Sequence, residues 1–297
     1  MTDDHSHFWE ERWQSIIDAS PLRRRRKGGA EAMGRWDKMA ADFAQRTADP
    51  TAAEKRRRTV AWMTDRGALP DGARVLDIGA GPGNWSLLLA EAGARVTALE
   101  PSGAMVDILK GRMAEQGISA ISTDQRTWQA VDLARDGWEG AFDLVFASMT
   151  PGIDGPANLR KMMAASKGHC YLSAFSGLGW HQWYGTLWRE LFAETLDGHP
   201  GDIIHPFNLV YAMGYRPELR FDFWQRENRM SRDKAIADFT THLEGFTDLT
   251  DALRDKVAAF VDQRCENGHF VDERRACQGM MLWSVNQKIH DPTEDLQ

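Results

Sequence analysis

Three glycines at alternate positions carry the strongest chemical signal in this chain. Residues 75–83 (Val-Leu-Asp-Ile-Gly-Ala-Gly-Pro-Gly) read as a short apolar strand that ends in a glycine-rich turn, and Leu87 to Leu89 begin a helix directly afterwards. Glycine lets the backbone approach a ligand without a Cβ clash, and the free N–H groups at a helix start favour a polar or anionic ligand group. The segment therefore predicts a ligand-binding turn between a strand and a helix.

An acidic residue closes the next predicted strand, Arg95 to Glu100. At the carboxyl edge of a parallel sheet, Glu100 is placed to accept both ribose hydroxyls of a nucleoside. Ser102 follows as a predicted N-cap, and the helix that begins at Gly103 is expected to stop at Gly117.

The turn and the spaced acid together resemble the class I S-adenosylmethionine-dependent methyltransferases. That family's first motif, Asp/Glu-x-Gly-x-Gly-x-Gly, matches residues 77–83, and its ribose-binding acid matches Glu100. The resemblance implies an α/β fold with a doubly wound, Rossmann-like, mostly parallel seven-stranded sheet, and S-adenosyl-L-methionine as cofactor. The rival is a nicotinamide or flavin dinucleotide fold, whose Gly-x-Gly-x-x-Gly fingerprint needs a third glycine where this chain has Asn84.

The resemblance implies cofactor contacts in four segments, each of which follows a strand. The residues are Asp77, Gly79, Ala80, Gly81, Gly83, Asn84 and Trp85 in the turn, Glu100, Pro101 and Ser102 after the second strand, Thr127 and Trp128 after the third, and Ser148 and Met149 after the fourth. The family's third segment often offers an acid to the adenine, but Asp124 falls slightly early for that role. Two roles are open for Trp128: it could stack on the adenine base, or it could pack in the core.

The methyl acceptor is expected to contact a cluster of aromatic residues after the fifth strand. The expected pocket residues there are Trp180, His181, Trp183 and Tyr184, and the resemblance adds Trp36 and Phe43 from a predicted N-terminal lid. Aromatic walls suit a planar or cationic acceptor, although the same rings could pack a helix onto the sheet. His181 is the candidate base, with His205 as a second choice, and a base is needed only where the accepting atom carries a proton.

The order of the predicted elements divides the chain into four parts. Residues 1–58 form a helical cap, 59–177 the cofactor-binding core, 178–215 a helical insertion, and 216–297 the last strands with inserted helices. Strands are predicted at 118–122, 142–147, 169–175, 218–226 and 279–285, and a helix at 158–167. The last two strands would form an antiparallel pair.

Composition narrows the class of protein. The 297 residues are 42% hydrophobic, which suffices for a sizeable core, and no apolar run approaches the ~18 residues of a membrane span. The three cysteines form no obvious disulfide framework, and the polar N-terminus does not look like a secretory signal, so a cytoplasmic setting is expected. A monomer or homodimer is also expected. Cys265, His269 and Cys277 lack paired metal-ligand spacing, and no metal is predicted.

Charge is distributed unevenly along the chain. The formal net charge is −7, yet residues 1–60 hold 13 Lys and Arg against 10 Asp and Glu. The basic clusters at 23–27 and 55–58 could grip phosphates or could be solvated helix faces. The sequence predicts methyl transfer from S-adenosylmethionine to a small molecule, with nucleic acid and membrane not expected as partners. The alternatives are an RNA or protein methyltransferase that uses these clusters, and a module that binds the cofactor without catalysis.

Overall fold

A single twisted sheet organises the molecule. The computed structural model describes residues 2–177, 182–196 and 199–289. The strands are β1 (Arg74–Ile78), β2 (Arg95–Leu99), β3 (Ile121–Asp124), β4 (Phe142–Ser148), β5 (Ser166–Ser176), β6 (Glu218–Ser231), β7 (Cys265–Glu266) and β8 (His269–Ser284). Their order is β3-β2-β1-β4-β5-β8-β6, and the short β7 pairs with β8 outside this path.

Strand direction matches the expected fold class. β1 to β5 run parallel, and β8 lies antiparallel between β5 and β6. The strand order reverses at β1, whose neighbours are β2 and β4. In such sheets the ligand crevice lies beyond the carboxyl ends of the strands at the reversal. The predicted Rossmann-like, mostly parallel sheet is therefore confirmed.

Helices surround this sheet and continue beyond it. They are α1 (Thr2–Ala19), α2 (Pro21–Arg25), α3 (Gly29–Thr47), α4 (Pro50–Asp65), α5 (Asn84–Glu91), α6 (Gly103–Gln116), α7 (Leu133–Asp136), α8 (Pro156–Ala165), α9 (Gln182–Phe192), α10 (Ile204–Ala212), α11 (Arg232–Leu243) and α12 (Asp251–Asp262). The expected boundary between residues 58 and 59 falls inside α4. No helix in the described ranges is both long and apolar enough to cross a bilayer.

Local signals placed α6 correctly. The Ser102 hydroxyl accepts a hydrogen bond from the Met105 amide, and Gly117 ends the helix with φ +65°. A hydroxyl at the N-cap satisfies an amide that has no partner within the helix, and a glycine adopts the left-handed conformation without a Cβ penalty. The predicted cap and stop are confirmed.

Several predicted boundaries were wrong. The third strand begins at Ile121 instead of 118, because the Ile118 amide still bonds to Met113 and completes the end of α6. The eighth helix ends at Ala165, and β5 starts at Ser166. β6 and β8 continue to Ser231 and His269, well beyond the expected 226 and 279, through polar residues that hide the strand pattern.

Three apolar clusters hold the fold together. The first packs one face of the sheet against α1, α8 and α10, and the second packs the other face against α4, α5 and α6. The third joins α9, α11 and α12 to β8 through Trp188, Phe239, Phe260 and Phe270, and it is called here the satellite cluster. The first two clusters fix the carboxyl edge of the sheet, where the predicted binding residues lie.

Candidate active site

The glycine turn is fitted tightly between two neighbouring segments. Gly79, Gly81 and Gly83 have φ values of +73°, +55° and +85°. A Cβ at Gly79 would overlap the Thr150 side chain, and one at Gly83 would overlap Leu109. Residues other than glycine rarely adopt these φ values. The turn therefore requires glycine for its backbone conformation and, at Gly79 and Gly83, for lack of space for a Cβ. Gly83 is also the N-cap of α5, whose first amides are therefore free of side-chain partners.

Asp77 lies beneath this turn and not in the crevice. Its side chain is buried and accepts a 2.6 Å hydrogen bond from the Ser86 hydroxyl. Burial raises the pKa of Asp77 to about 7, the nearby Glu100 carboxylate adds to the rise, and the bond from Ser86 opposes it. Asp77 thus links β1 to α5 and supports the turn from below.

Glu100 is held by the backbone around it. One carboxylate oxygen accepts a 2.8 Å bond from the Gly81 amide, and the other accepts a 2.8 Å bond from the Ser102 amide. Burial raises the pKa of Glu100, and these two N–H donors partly offset the rise. The carboxylate therefore has a fixed orientation at the mouth of the turn, with acceptor capacity left for a ligand.

The segment after β3 is engaged with the protein itself. Trp128 is 2% exposed, its indole N–H donates to the Asn158 carbonyl at 3.2 Å, and the Lys161 ammonium lies 4.7 Å from the ring centroid. The ring packs in the core, so packing is the alternative that the structure favours for Trp128. Asp124 is also occupied, because Arg126 binds it at 2.7 Å.

A small polar network joins the end of β4 to the neighbouring strands β5 and β8. The Ser148 and Ser173 hydroxyls are 2.9 Å apart, and the Gln278 amide donates to Ser173 at 2.9 Å. Met149, the residue that follows β4, has a φ of +52°, which is a strained backbone conformation for any residue other than glycine. Ser173 and Gln278 escaped the sequence analysis because only strand pairing brings them to Ser148.

Two N-terminal helices cover the crevice. On α3, Trp36 and Phe43 meet edge to face at 6.2 Å, and both line the crevice. The Asp37 carboxylate accepts a 2.6 Å bond from the Ser102 hydroxyl and a 3.3 Å bond from the Ala104 amide. α3 is therefore fastened to the start of α6, directly beside Glu100.

Arg56 on α4 is a site residue that the sequence analysis missed. Its guanidinium donates at 2.9 Å to the Thr47 carbonyl, and the Thr47 hydroxyl accepts a 2.8 Å bond from Asn84 at the start of α5. The Nε atom of Arg56 is buried and has no hydrogen-bond partner among the described residues. A buried donor without a partner is costly, so an anionic ligand beside the turn would satisfy it.

The turn and the segments that follow β2, β3 and β4 open into one cavity of about 1270 Å³. The predicted residues that line it are Trp36, Gly79, Ala80, Gly81, Asn84, Trp85, Glu100, Pro101, Thr127, Trp128, Ser148 and Met149. Asp77, Gly83 and Ser102 stand behind its wall. The structure thus gathers the four predicted segments around one space.

The aromatic cluster after β5 does not share this space. Trp183 packs against Phe260 and Phe270 at ring distances of 6.2 and 5.7 Å, and Tyr184 packs against Phe239 at 5.0 Å. The prediction that Trp183 and Tyr184 line an acceptor pocket was therefore wrong, because the apolar face of α9 packs into the satellite cluster. Trp180 and His181 lie outside the described residues.

His205 and the residues considered as metal ligands, Cys265, His269 and Cys277, do not line the cavity. His205 stacks on Trp13 at 6.3 Å, between α1 and α10. Among the described residues that line the cavity there is no histidine. Within the same ranges, no three His, Cys, Asp or Glu side chains lie close enough to hold a metal ion.

Trp183→Ala tests its packing role. We expect the free energy of unfolding to fall by about 3 kcal/mol, because a large half-buried ring is lost from the satellite cluster. Urea denaturation measures this change. Phe8→Ala is the matched control, since Phe8 is 57% exposed and its loss should cost less than about 0.5 kcal/mol. A Trp183 variant of normal stability with altered methyl transfer would contradict the packing role.

Comparison with known proteins gives a match over the first part of the sheet. Residues 75–168 match a family model described as a methyltransferase domain. This segment, from β1 to the start of β5, is therefore similar to a methyltransferase domain. The chain shares its fold with a candidate methyltransferase from Bacillus halodurans, at 13% identity and a TM-score of 0.51, over 76% of this chain and 97% of the other.

Curated relatives match this chain over different lengths. An uncharacterized protein of Haemophilus influenzae is 24% identical over 259 residues, covering 85% of this chain and 90% of the relative. The cypemycin N-terminal methyltransferase of a Streptomyces species is 39% identical over 89 residues, which is 30% of this chain and 33% of that enzyme. A ubiquinone biosynthesis O-methyltransferase of Xanthomonas campestris is 38% identical over 84 residues, 28% of this chain and 33% of the other. The chain matches only about a third of each named enzyme.

The crevice fits S-adenosylmethionine by the chemistry of its residues. Glu100 offers carboxylate oxygens to hydroxyl donors, and the unpartnered Nε of Arg56 can donate to a carboxylate. At Gly81, a Cβ would meet only Phe43, at 3.9 Å, so the turn faces open space. An amino-acid nucleoside requires an acceptor for its ribose hydroxyls, a donor for its carboxylate and a backbone that it can approach, and the crevice has all three.

Asp37→Ala tests the fastening of the lid. We expect α3 to be cleaved faster by trypsin at Lys38 and cofactor affinity to fall about fivefold, since bonds of this kind contribute about 1 kcal/mol. Limited proteolysis and calorimetry measure the two effects. Asp42→Ala is the control, because Asp42 pairs only with Arg46 on the same helix within the described contacts. Equal cleavage of both variants and the parent would show that Asp37 does not hold the lid.

Proposed function

We propose that this methyltransferase transfers a methyl group to a small-molecule acceptor by in-line displacement. The observation that supports this proposal is a single cavity. The glycine turn and Glu100 line one part of it, and residues of β6 and β8 line another. At about 1270 Å³ the cavity exceeds the usual volume of a single-ligand pocket, and α3 and α4 cover it. Two small ligands therefore have room, whereas a folded macromolecule would have to displace the helices.

The chain's own residues position the reactants. Bound S-adenosylmethionine supplies a methyl group made electrophilic by its sulfonium. Glu100 holds the ribose hydroxyls, Arg56 holds the carboxylate, and the lid helices keep water out. The network at Ser148 is placed to orient the acceptor at the end of β4. Proximity and orientation then supply most of the rate enhancement.

The two basic clusters support a small acceptor over a nucleic acid. In the first, Arg23 binds Asp154 at 3.0 Å and Arg25 binds Glu194 at 3.2 Å, so these two charges are paired inside the fold. In the second, Lys55 binds Asp222 at 2.8 Å. Such internally paired cations offer little to a phosphate backbone.

Labelled cofactor tests the acceptor class. Extract incubated with the enzyme and methyl-labelled S-adenosylmethionine should yield label in the low-molecular-mass filtrate. Label confined to RNA or to protein would select the first alternative, and binding without any S-adenosylhomocysteine release would select the non-catalytic module. A cytoplasmic setting is part of the proposal, and the free Cys170, Cys265 and Cys277 support it.

A further inference from the structure

The wall of the cavity is strongly cationic. Of the described residues that line it, nine are Lys or Arg and four are Asp or Glu. The whole chain carries a net charge of −7, so this balance is local. A cleft lined by one sign of charge concentrates ligands of the opposite sign.

Most of these cations already have carboxylate partners. Arg126 binds Asp136 at 2.6 Å, and Arg58 binds Glu54 at 3.2 Å. Lys55 and Arg23 are paired as described above. Paired cations add little net field, so the unpaired ones decide what the cavity attracts.

Arg26 is unpaired and crowded by like charge. It makes no hydrogen bond or ion pair with any described residue, although it lines the cavity. Burial and Arg23 lower the pKa of Arg26, with Asp154 opposing, and burial and Arg26 lower the pKa of Arg35. Asp154 is already bound by Arg23. Arg26 therefore lines the cavity without a carboxylate of its own.

Arg26 does not belong to the group of residues around Arg56. It directly follows α2, and the Asp154 carboxylate in the loop between β4 and α8 acts on its charge. Arg56 instead lies with Thr47 and Asn84 at the start of α5. Because Arg56 is assigned to the carboxylate of the cofactor, the unpaired Arg26 is left for an anion on the second ligand of the cavity.

We propose that the methyl acceptor carries an oxyanion, a carboxylate or a phosphate, that pairs with Arg26. This inference rests on the proposed function. A guanidinium binds such groups through two parallel hydrogen bonds, which fixes direction as well as position. The anion relieves the repulsion among Arg23, Arg26 and Arg35, and it disfavours a cationic acceptor.

Simple aromatic probes test the charge preference. Benzoate, phenyl phosphate and neutral benzamide are titrated into enzyme saturated with S-adenosylhomocysteine, at constant ionic strength. We expect at least one anion to bind roughly ten- to a hundredfold more tightly than benzamide, and the preference to disappear in Arg26→Gln. Comparing benzoate with phenyl phosphate identifies the oxyanion.

Controls make the test specific to Arg26. Arg24→Gln removes the same charge from the same cluster outside the cavity wall, and it should keep the preference. Arg26→Gln should melt no lower than the parent, because a crowded cation is removed. Failure of S-adenosylhomocysteine to bind the parent would refute the proposed function itself. Normal cofactor binding with equal affinity for benzamide and both anions, or with an anion preference unchanged in Arg26→Gln, would overturn this inference alone.

Discussion

Glu100→Ala is expected to weaken S-adenosylmethionine binding at least tenfold. The carboxylate is oriented by the Gly81 and Ser102 amides, and the ribose hydroxyls would add charge-assisted bonds of roughly 1.5–3 kcal/mol each. Isothermal calorimetry with S-adenosylmethionine and S-adenosylhomocysteine measures the loss.

The same change also affects folding. Removing the carboxylate leaves two backbone N–H groups without their acceptor, at a cost of about 1–3 kcal/mol each where they stay buried. Affinity is therefore compared at a temperature where the variant is folded. Asp107→Ala on α6 is the charge control, since Asp107 is exposed. Unchanged affinity in Glu100→Ala would place the ribose elsewhere.

Asp77→Asn is expected to stabilise the protein above neutral pH. Because burial raises the folded-state pKa of Asp77 to about 7 from the ordinary value of 3.8, the folded state binds a proton more tightly than the unfolded state. Stability therefore falls as pH rises between these two values, by an amount on the order of 4 kcal/mol. The asparagine has no charge to bury and keeps an oxygen for the Ser86 hydroxyl.

Urea unfolding at pH 5 and pH 8 tests this linkage. The parent should lose stability between the two conditions, and Asp77→Asn should lose much less. Ser86→Ala is the complementary control, because it removes the bond that favours the ionised form and should steepen the dependence. Identical pH dependence in the parent and in Asp77→Asn would show that Asp77 does not titrate in this range.

The cofactor side of the site was readable from sequence because its signals are local. The glycines, Glu100 and Ser102 each act within a few residues of the turn or helix they shape. Parallel strands then bring these short segments to one edge without further information. The same locality explains why the cap and stop of α6 were predicted correctly.

The acceptor side depends on contacts between distant segments. A dense run of rings at 183–188 indicates an apolar face, but nothing within the run says that α12 and β8 will cover it. Gln278 reaches Ser173 only through the antiparallel register of β5 and β8. Arg26 stands out because it is unpaired while neighbouring cations bind the nearby carboxylates. No local sequence pattern indicates which cations will be paired in the fold.

The long β6–β8 ladder imposes a cost in chain entropy. Its outermost pair, Ser231 with His269, closes a connection of roughly 40 residues instead of a tight hairpin. Loop-closure entropy grows with the logarithm of length, so this connection costs about 2 kcal/mol more than a four-residue turn. The contacts between α11 and α12 shorten the effective loop before the ladder closes. Packing of the inserted helices therefore offsets part of the loop-closure entropy cost that their length adds. The pairing of β6 with β8 at the edge of the sheet depends on this packing.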